Sequence, residues 1–325
     1  MKRREFIAIL GGVIARPLVV HAQRPAIPVI GFLGSRASDE DPQLLTSFRL
    51  GLKEGGYVEG QNVVIDYQFA ENRYDRLAAL AAELVQRQVA LIAANGPAAQ
   101  AAKAATSTIP IVFTVGYDPV EVRLVASMNR PGANVTGISI LDVELGPKRL
   151  ELLRELVPKA TTVAVLVNPS DPTRAGNISR AMQTAAHSLG LQLNVLEASS
   201  DRDFDAVFVS LLQMRADGLV IGGDPFFNSR SEQLGTLTAR HKVPTIFQFR
   251  EFAAAGGLAS YGASLTDSYR QVGVYAARIL KGERPADLPI VQASKFELVI
   301  NLKIAKALGL SVPAKLLSTA DEVME

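Results

Sequence analysis

Gln213–Asp224 reads QMRADGLVIGGD, and Gln86–Gly96 reads QRQVALIAANG. Each has a polar lead, a short apolar run and an abrupt stop at glycine beside a polar side chain. That is the pattern of a buried strand ending in a turn. The surroundings repeat as well. IPVIGFLGS (Ile27–Ser35) matches TVAVLVNPS (Thr162–Ser170) as a first strand, and TIPIVFTV (Thr108–Val115) matches KVPTIFQF (Lys242–Phe249) as a fourth. In the last pair proline stands at the strand entrance, where its missing N–H matters least. The chain therefore carries two copies of one architecture.

Short apolar runs alternate with amphipathic stretches throughout, which argues for parallel βαβ units. In the first copy strands are expected at Pro28–Leu33, Val63–Phe69, Ala90–Ala94, Ile111–Val115 and Val135–Ser139, with helices over Pro42–Glu54, Arg73–Arg87 and Ala98–Ala105. In the second, strands fall at Val163–Val167, Gln192–Leu196, Gly218–Ile221 and Thr245–Phe249, with helices over Pro172–Ser188, Phe204–Met214 and Ser229–Arg240. The expected fold is α/β: two similar doubly wound parallel-sheet domains joined by a hinge with several crossings. GGLASYG (Gly256–Gly262) and a helix over Thr266–Lys281 read as a return to the first domain. A strand near Phe296–Ile300 and a helix over Leu302–Leu308 read as a crossing back. The expected domains are 23–140 plus 252–288, and 141–251 plus 289–325. Ligands of open α/β sheets bind outside the carboxyl ends of the strands, so both halves should line one cleft.

MKRREFIAILGGVIA opens the chain with a basic front and an apolar run, and Val20-His21-Ala22 offers a small-x-small cleavage site. Arg3-Arg4 before Phe6 is similar to the twin-arginine export signal. Residues 1–22 are thus expected to be a cleaved export signal, leaving a periplasmic protein. Of the 34 Lys and Arg, Lys2, Arg3, Arg4 and Arg16 lie in that segment, and of the 32 Asp and Glu, Glu5 does, which leaves 30 against 31. A net charge of −1 leaves no basic stripe for nucleic acid, and no later apolar run reaches membrane length.

The chain has no cysteine, which excludes a disulfide framework, a thiolate metal site and a catalytic thiol. The nucleophile elbow, the P-loop, H-E-x-x-H and a G-x-G-x-x-G between strand and helix are all absent. His187 and His241 fall on separate expected helices. Asp201, Asp203 and Asp205 imitate a calcium loop, but Ala206 replaces its glycine and Leu212 its bidentate glutamate. Without a catalytic constellation, cofactor or metal, the sequence describes a binding protein and not an enzyme.

GLKEGGYVEGQNVVIDYQFAE (Gly51–Glu71), ATSTIPIVFTVGYDPV (Ala105–Val120), MNRPGANVTG (Met128–Gly137), KGERPADLPI (Lys281–Ile290) and FELVINLKIAKALGLSVPAKLLSTADEVME (Phe296–Glu325) span nearly the whole mature length. In them the chain resembles the ABC-transporter substrate-binding proteins of the tryptophan-binding-protein type, which have a type I periplasmic binding fold. The resemblance implies capture of a small organic ligand, most often an amino acid or an aromatic compound. It also implies monomeric delivery to an inner-membrane ABC permease with a cytoplasmic ATPase. Because the signal lacks a lipid-modified cysteine, a soluble exported form is implied. A ligand-sensing partner of a signalling receptor is the alternative on the same fold.

If the ligand is an amino acid, each of its charges needs a partner once buried. Asp224 and Asp118, both followed by proline at strand ends, are candidates for its ammonium group, and both are equally candidate helix caps. Asp41 and Asp171 read as caps. The backbone amides of Pro97–Ala99, after Asn95 and Gly96, suit a carboxylate. Ser35 and Asn168 offer neutral hydrogen bonds, and Arg36 is either a carboxylate clamp or a solvated loop residue. Tyr117, Phe226, Phe227, Phe247 and Tyr261 stand at expected strand ends, where rings favour an aromatic side chain. Of these, Phe247 and one of Phe226 and Phe227 are also candidates for the core. The expected pocket therefore pairs Asp224 with one phenylalanine.

Overall fold

The computed structural model describes residues 27–37, 42–293 and 296–325. The expected signal and the cap at Asp41 lie outside the described residues. The first unit runs β1 (Val29–Gly34), α1 (Pro42–Glu54), β2 (Val64–Phe69), α2 (Leu77–Gln86), β3 (Leu91–Asn95), α3 (Pro97–Ala105), β4 (Ile111–Val115) and β5 (Val135–Ser139). The second runs α4 (Gly146–Leu156), β6 (Thr162–Val167), α5 (Pro172–Ser188), β7 (Gln192–Glu197), α6 (Asp203–Gln213), β8 (Gly218–Ile221), α7 (Pro225–Ser229), α8 (Ser231–His241), β9 (Thr245–Phe247), α9 (Arg250–Ala254) and β10 (Ala259–Ala263). Then come α10 (Leu265–Leu280), β11 (Val291–Gln292), β12 (Phe296–Asn301), α11 (Leu302–Ala307), α12 (Ala314–Thr319) and β13 (Glu322–Met324).

The strands form two sheets, in the orders β11-β5-β4-β3-β1-β2 and β13-β12-β10-β9-β8-β6-β7. All pairings are parallel except β10 with β12. Each sheet is covered on both faces. In the first, Leu80 and Leu84 of α2 pack on one side, and Phe48 of α1 with Tyr269 and Val272 of α10 on the other. In the second, Leu153 of α4 and Ile178 of α5 face Phe204 and Phe208 of α6 across the sheet. The central strands β3 and β4 are buried along their whole length, as a sheet covered on both faces requires.

Two expectations about the crossings need correction. The strand of GGLASYG was assigned to the first domain, yet β10 pairs with β9 (Ala259 beside Ile246) and with β12 (Ala259 opposite Ile300), inside the second sheet. Its core neighbours are second-domain residues, because Leu258 and Ala259 are buried with Val220 and Ile300. The crossing follows the strand instead: Ser264 caps α10 by accepting from Asp267 N, and α10 then covers the first sheet. Conversely, Val291–Gln292 was assigned to the second domain but pairs with β5 in the first. The chain thus passes between the sheets after β5, after β10 and after β11. Helix α4 was not foreseen; Pro147 opens it, and Leu150, Leu153 and Leu156 form its buried face. No helix among the described residues is long and apolar enough to cross a membrane.

Helices α1 and α10 pack at backbone distance. A Cβ on Gly273 would stand 2.1 Å from Phe48 O, and one on Gly51 1.8 Å from Arg270 O. Gly176, on exposed α5, has nothing within 4 Å of its would-be Cβ. Gly273→Ala should therefore destabilise the fold by ~1–3 kcal/mol through overpacking. Gly176→Ala should stabilise it by ~0.5–1 kcal/mol through helix propensity alone. Urea titration of the two variants checks this; equal signs would refute the close packing of α1 on α10.

Candidate ligand-binding site

The carboxyl ends of the strands of both sheets converge on one cleft. From the first domain come Arg36 after β1, Asn95 and Gly96 after β3, Thr114–Gly116 at the end of β4, and Tyr269 from α10. From the second come Arg174, Pro225, Asn228 and Gln248. Together they line a cavity of about 30 Å³. A second cavity opens beside it, sharing Arg36, Asn95 and Tyr269, and is walled by Phe32, Phe69, Leu44 and Leu45. Rings cluster at this end: Phe32 lies 6.0 Å from Phe69 and 6.4 Å from Tyr269, centroid to centroid.

Asn95 is fixed before any ligand arrives. Its Oδ1 accepts from Ser35 N (2.9 Å) and Ser35 Oγ (3.1 Å), and its Nδ2 donates to Tyr269 Oη (2.7 Å). Arg36 also donates to Tyr269 Oη, at 3.4 Å. Tyr117 is buried, donates to Gly96 O (3.1 Å) and lays its ring beneath the Arg174 guanidinium at 5.5 Å. Burial pushes its phenol well above the usual range.

On the facing side, Asp224 is 2% exposed. Its Oδ1 accepts from Phe226 N (2.9 Å), capping α7, from Asn168 Nδ2 (2.9 Å) and from Tyr74 Oη (2.8 Å), which belongs to the other domain. Its Oδ2 has no hydrogen-bond partner. Burial raises the Asp224 carboxyl above its ordinary value, and the charge of Arg174 only partly offsets this.

Arg174 enters the cleft from the first turn of α5, placed there by its N-cap: Asp171 accepts from Arg174 N at 3.1 Å. Burial works against its charge, but Asp142, Asp224 and Asp171 outweigh that and hold the guanidinium firmly protonated. Its Nη2 lies 3.7 Å from Asp142 Oδ2, and its Nε is buried without a partner, as is the Thr114 hydroxyl. Gly116 makes room for it; a Cβ there would stand 2.2 Å from Nη2. Behind Arg174, Arg149 pairs with Asp142 Oδ1 at 2.8 Å, both 2% exposed, and donates to the carbonyls of Asp142 (2.6 Å) and Tyr261 (3.2 Å). With its NH₂ turned toward the carboxylate, the Gln248 amide donates to Asp142.

Of the expected site residues, Asn95 and Gly96 line the cavity, with Ser35 and Tyr117 bonded to them. Asp224 and its partner Asn168 lie outside the lining, where Tyr74 meets Asp224 from the other domain. Asp118 is not brought to the cleft; its Oδ1 caps its own turn by accepting from Val120 N (2.7 Å) and Glu121 N (3.4 Å). Phe226, Phe227 and Phe247 lie in the second-domain core, with Phe226 5.6 Å from Phe204. Tyr261 sits mid-strand in β10 and packs on Phe296 at 6.3 Å. The rings of the cleft are instead Phe32, Phe69 and Tyr269. Arg174, Asp142, Arg149, Gln248 and Tyr74 escaped the sequence reading. For Arg174 the one available signal is its place three residues after the cap Asp171. No group of His, Asp and Glu among the described residues could hold a metal ion.

The chain is similar to several known proteins. A tyrosine-binding protein of Clostridioides difficile is 31% identical over 269 residues, covering 81% of this chain and 75% of that protein. Among solved structures, a conserved domain protein from Vibrio cholerae superimposes with a TM-score of 0.83 at 27% identity, covering 91% of this chain and 99% of that one. An ABC domain from Streptococcus pneumoniae in complex with L-Trp gives 0.81 at 26% identity, with the same coverage. The ligand-free, open structure of a substrate binding protein from Clostridium difficile gives 0.64 at 28% identity, covering 92% and 99%. The family model for the ABC transporter substrate binding protein matches residues 27–324, and the chain belongs to that family, whose members bind rather than catalyse.

Proposed function

We propose that this chain is the extracytoplasmic solute-binding component of an ABC importer, and that it closes over an amino acid with an aromatic or large apolar side chain. It hands the ligand to an inner-membrane permease driven by a cytoplasmic ATPase. The observation that carries this reading is a buried cation, Arg174, and a buried carboxylate, Asp224, near one another beside a ring-walled cavity. The two charges of an α-amino acid are separated by a single carbon, so their protein partners must themselves be neighbours. Arg174 and Asp224 are close enough to shift each other's protonation, and each keeps one buried atom unpaired. The ligand's carboxylate goes to Arg174 and its ammonium to Asp224 Oδ2. Asn95 and Asn228 supply neutral contacts, and the side chain enters the space between Phe32, Phe69 and Tyr269. Relatives that bind tyrosine and hold L-Trp support this assignment. Hinge closure is supported by the better superposition on the Trp-bound relative than on the open one, at similar identity.

Purified chain should be stabilised by L-tyrosine or L-tryptophan by ~4 kcal/mol at a thousandfold excess over Kd. Thermal denaturation against the amino acids, aromatic acids, purines and simple sugars tests this, and a response to sugars alone would sink the assignment. Arg174→Gln should cost ~2–5 kcal/mol of amino-acid affinity, the scale for truncating one partner of a buried charge pair; an unchanged titration would remove Arg174 from the site.

The raised Asp224 carboxyl sets the pH dependence. The ligand's ammonium requires the carboxylate, so affinity is full above the raised value and falls as pH drops through it. The ligand-free fold responds the other way. Its folded carboxyl holds the proton more tightly than the unfolded one, so this contribution is lost as pH rises above the ordinary carboxyl value. Calorimetric titrations over the acidic range should show the affinity slope for the natural chain and none for Asp224→Asn.

A further inference from the structure

Tyr74 belongs to the first domain yet makes its polar contact in the second. Just before it, Glu71 and Asn72 both adopt left-handed backbone, with φ of 55° and 60°. Two such residues in succession, neither of them glycine, are a strained arrangement that the surroundings must hold in place. The surroundings do so. Ala70 N donates to Gly34 O (2.9 Å), Asn72 N to Ser35 O (3.0 Å) and Arg73 N to Ala70 O (2.9 Å), tying the turn to the end of β1 beside Asn95. The turn lifts Tyr74 off the end of β2, leaves its ring resting on the first-domain core, and carries its hydroxyl 2.8 Å from Asp224 Oδ1.

Asp224 Oδ1 therefore receives donors of two kinds. Asn168 Nδ2 and Phe226 N come from its own domain and stay with it in any arrangement of the two units. The Tyr74 hydroxyl reaches it only when the units are together. We propose that Tyr74 is a positioning residue for ligand capture: closure of the first domain places its hydroxyl on Asp224 Oδ1, which fixes the carboxylate and leaves Oδ2 for the ligand's ammonium group. This rests on reading the cleft as an amino-acid site. It goes beyond that reading by assigning the closing contact to a residue that need not touch the ligand.

The groups facing Asp224 are Arg174 from α5, Asn168 from the end of β6, the Phe226 amide from α7 and Tyr74 from the opposite domain. Asp142 and Asp171 act on it through Arg174. Of these donors, Tyr74 alone crosses the cleft, so its removal tests the latch while the carboxylate's other partners stay.

Tyr74→Phe keeps the ring and deletes the hydroxyl. L-tyrosine and L-tryptophan affinities should fall about tenfold, the size expected for one hydrogen bond to a charged group. The loss should lie in the dissociation rate, with association little changed, because the contact forms only after docking. The pH profile of affinity should move upward, since the hydroxyl favours the ionised carboxylate. In an Asp224→Ala background, which removes the acceptor, the same change should have no further effect. The chain has no cysteine, so spin labels at Leu50→Cys and Leu212→Cys, exposed positions on the two domains, report their separation directly. Without ligand, the closed population should be smaller in Tyr74→Phe than in the natural chain. Unchanged dissociation and separation would overturn the latch, as would an equal loss in the Asp224→Ala background. If neither amino acid binds, the ligand reading fails by itself and the label distances still decide the latch.

Discussion

Everything at the cleft leans on one buried ion pair, Asp142 with Arg149, 2.8 Å apart and almost wholly removed from water. A pair so buried adds little net stability, because desolvation offsets the attraction. What it supplies is geometry. Asp142 lies just past β5, where the chain first leaves the first sheet, and Arg149 reaches both its carbonyl and that of Tyr261, shortly before the second crossing. One guanidinium thus clamps two of the connections between the domains. The remaining Asp142 oxygen faces Arg174, the cation of the cleft. Hinge and site share a carboxylate, so the position of one constrains the other.

The same constraint explains the composition of the cleft walls. Buried Arg36, Arg149 and Arg174 stand with buried Asp142 and Asp224, so the cleft walls hold charges of both signs, as a zwitterion would require. The ring-walled cavity lies entirely on the first domain, and Arg174 and Asp224 on the second. Each half offers one part of what an amino acid presents, and neither offers both. On the proposed reading, ligand contact with the two halves together favours the closed arrangement over the open one.

Much of the architecture was legible in the sequence because buried parallel strands write themselves as apolar runs bounded by glycine and proline. The repeat QRQVALIAANG and QMRADGLVIGGD located both sheets and, with them, Asn95 and Asp224. The rings were misplaced for a physical reason. Phe226 and Phe227 follow a strand end, but α7 turns back under the sheet and tucks both against Phe204. Phe32 and Phe69 lie at or near the ends of β1 and β2 and reach the cleft only because of the way helix α1 and the sheet edge enclose that side. Arg174 looked like any charge in an amphipathic helix. Its burial follows from tertiary placement of the first turn of α5 against Gly116, which no local pattern encodes. The strand of GGLASYG was misassigned because it joins its sheet beside an antiparallel neighbour that arrives much later in the chain.

The unpaired atoms of the closed cleft give the closing equilibrium its direction. Arg174 Nε, Thr114 Oγ1 and Asp224 Oδ2 are buried without partners, and each such atom costs about 1–3 kcal/mol relative to its hydrated state. Closing on an empty cleft therefore works against this penalty, with the Tyr74 contact and the covered apolar surface on the other side. A ligand that pairs these atoms removes the penalty only in the closed form, and that differential is the most it can contribute to closure. A compound that fills the ring pocket but lacks the two charges would leave the penalty standing and bind without closing. On the proposed reading, the charged groups therefore set whether the protein closes, and the rings set which side chain it closes upon.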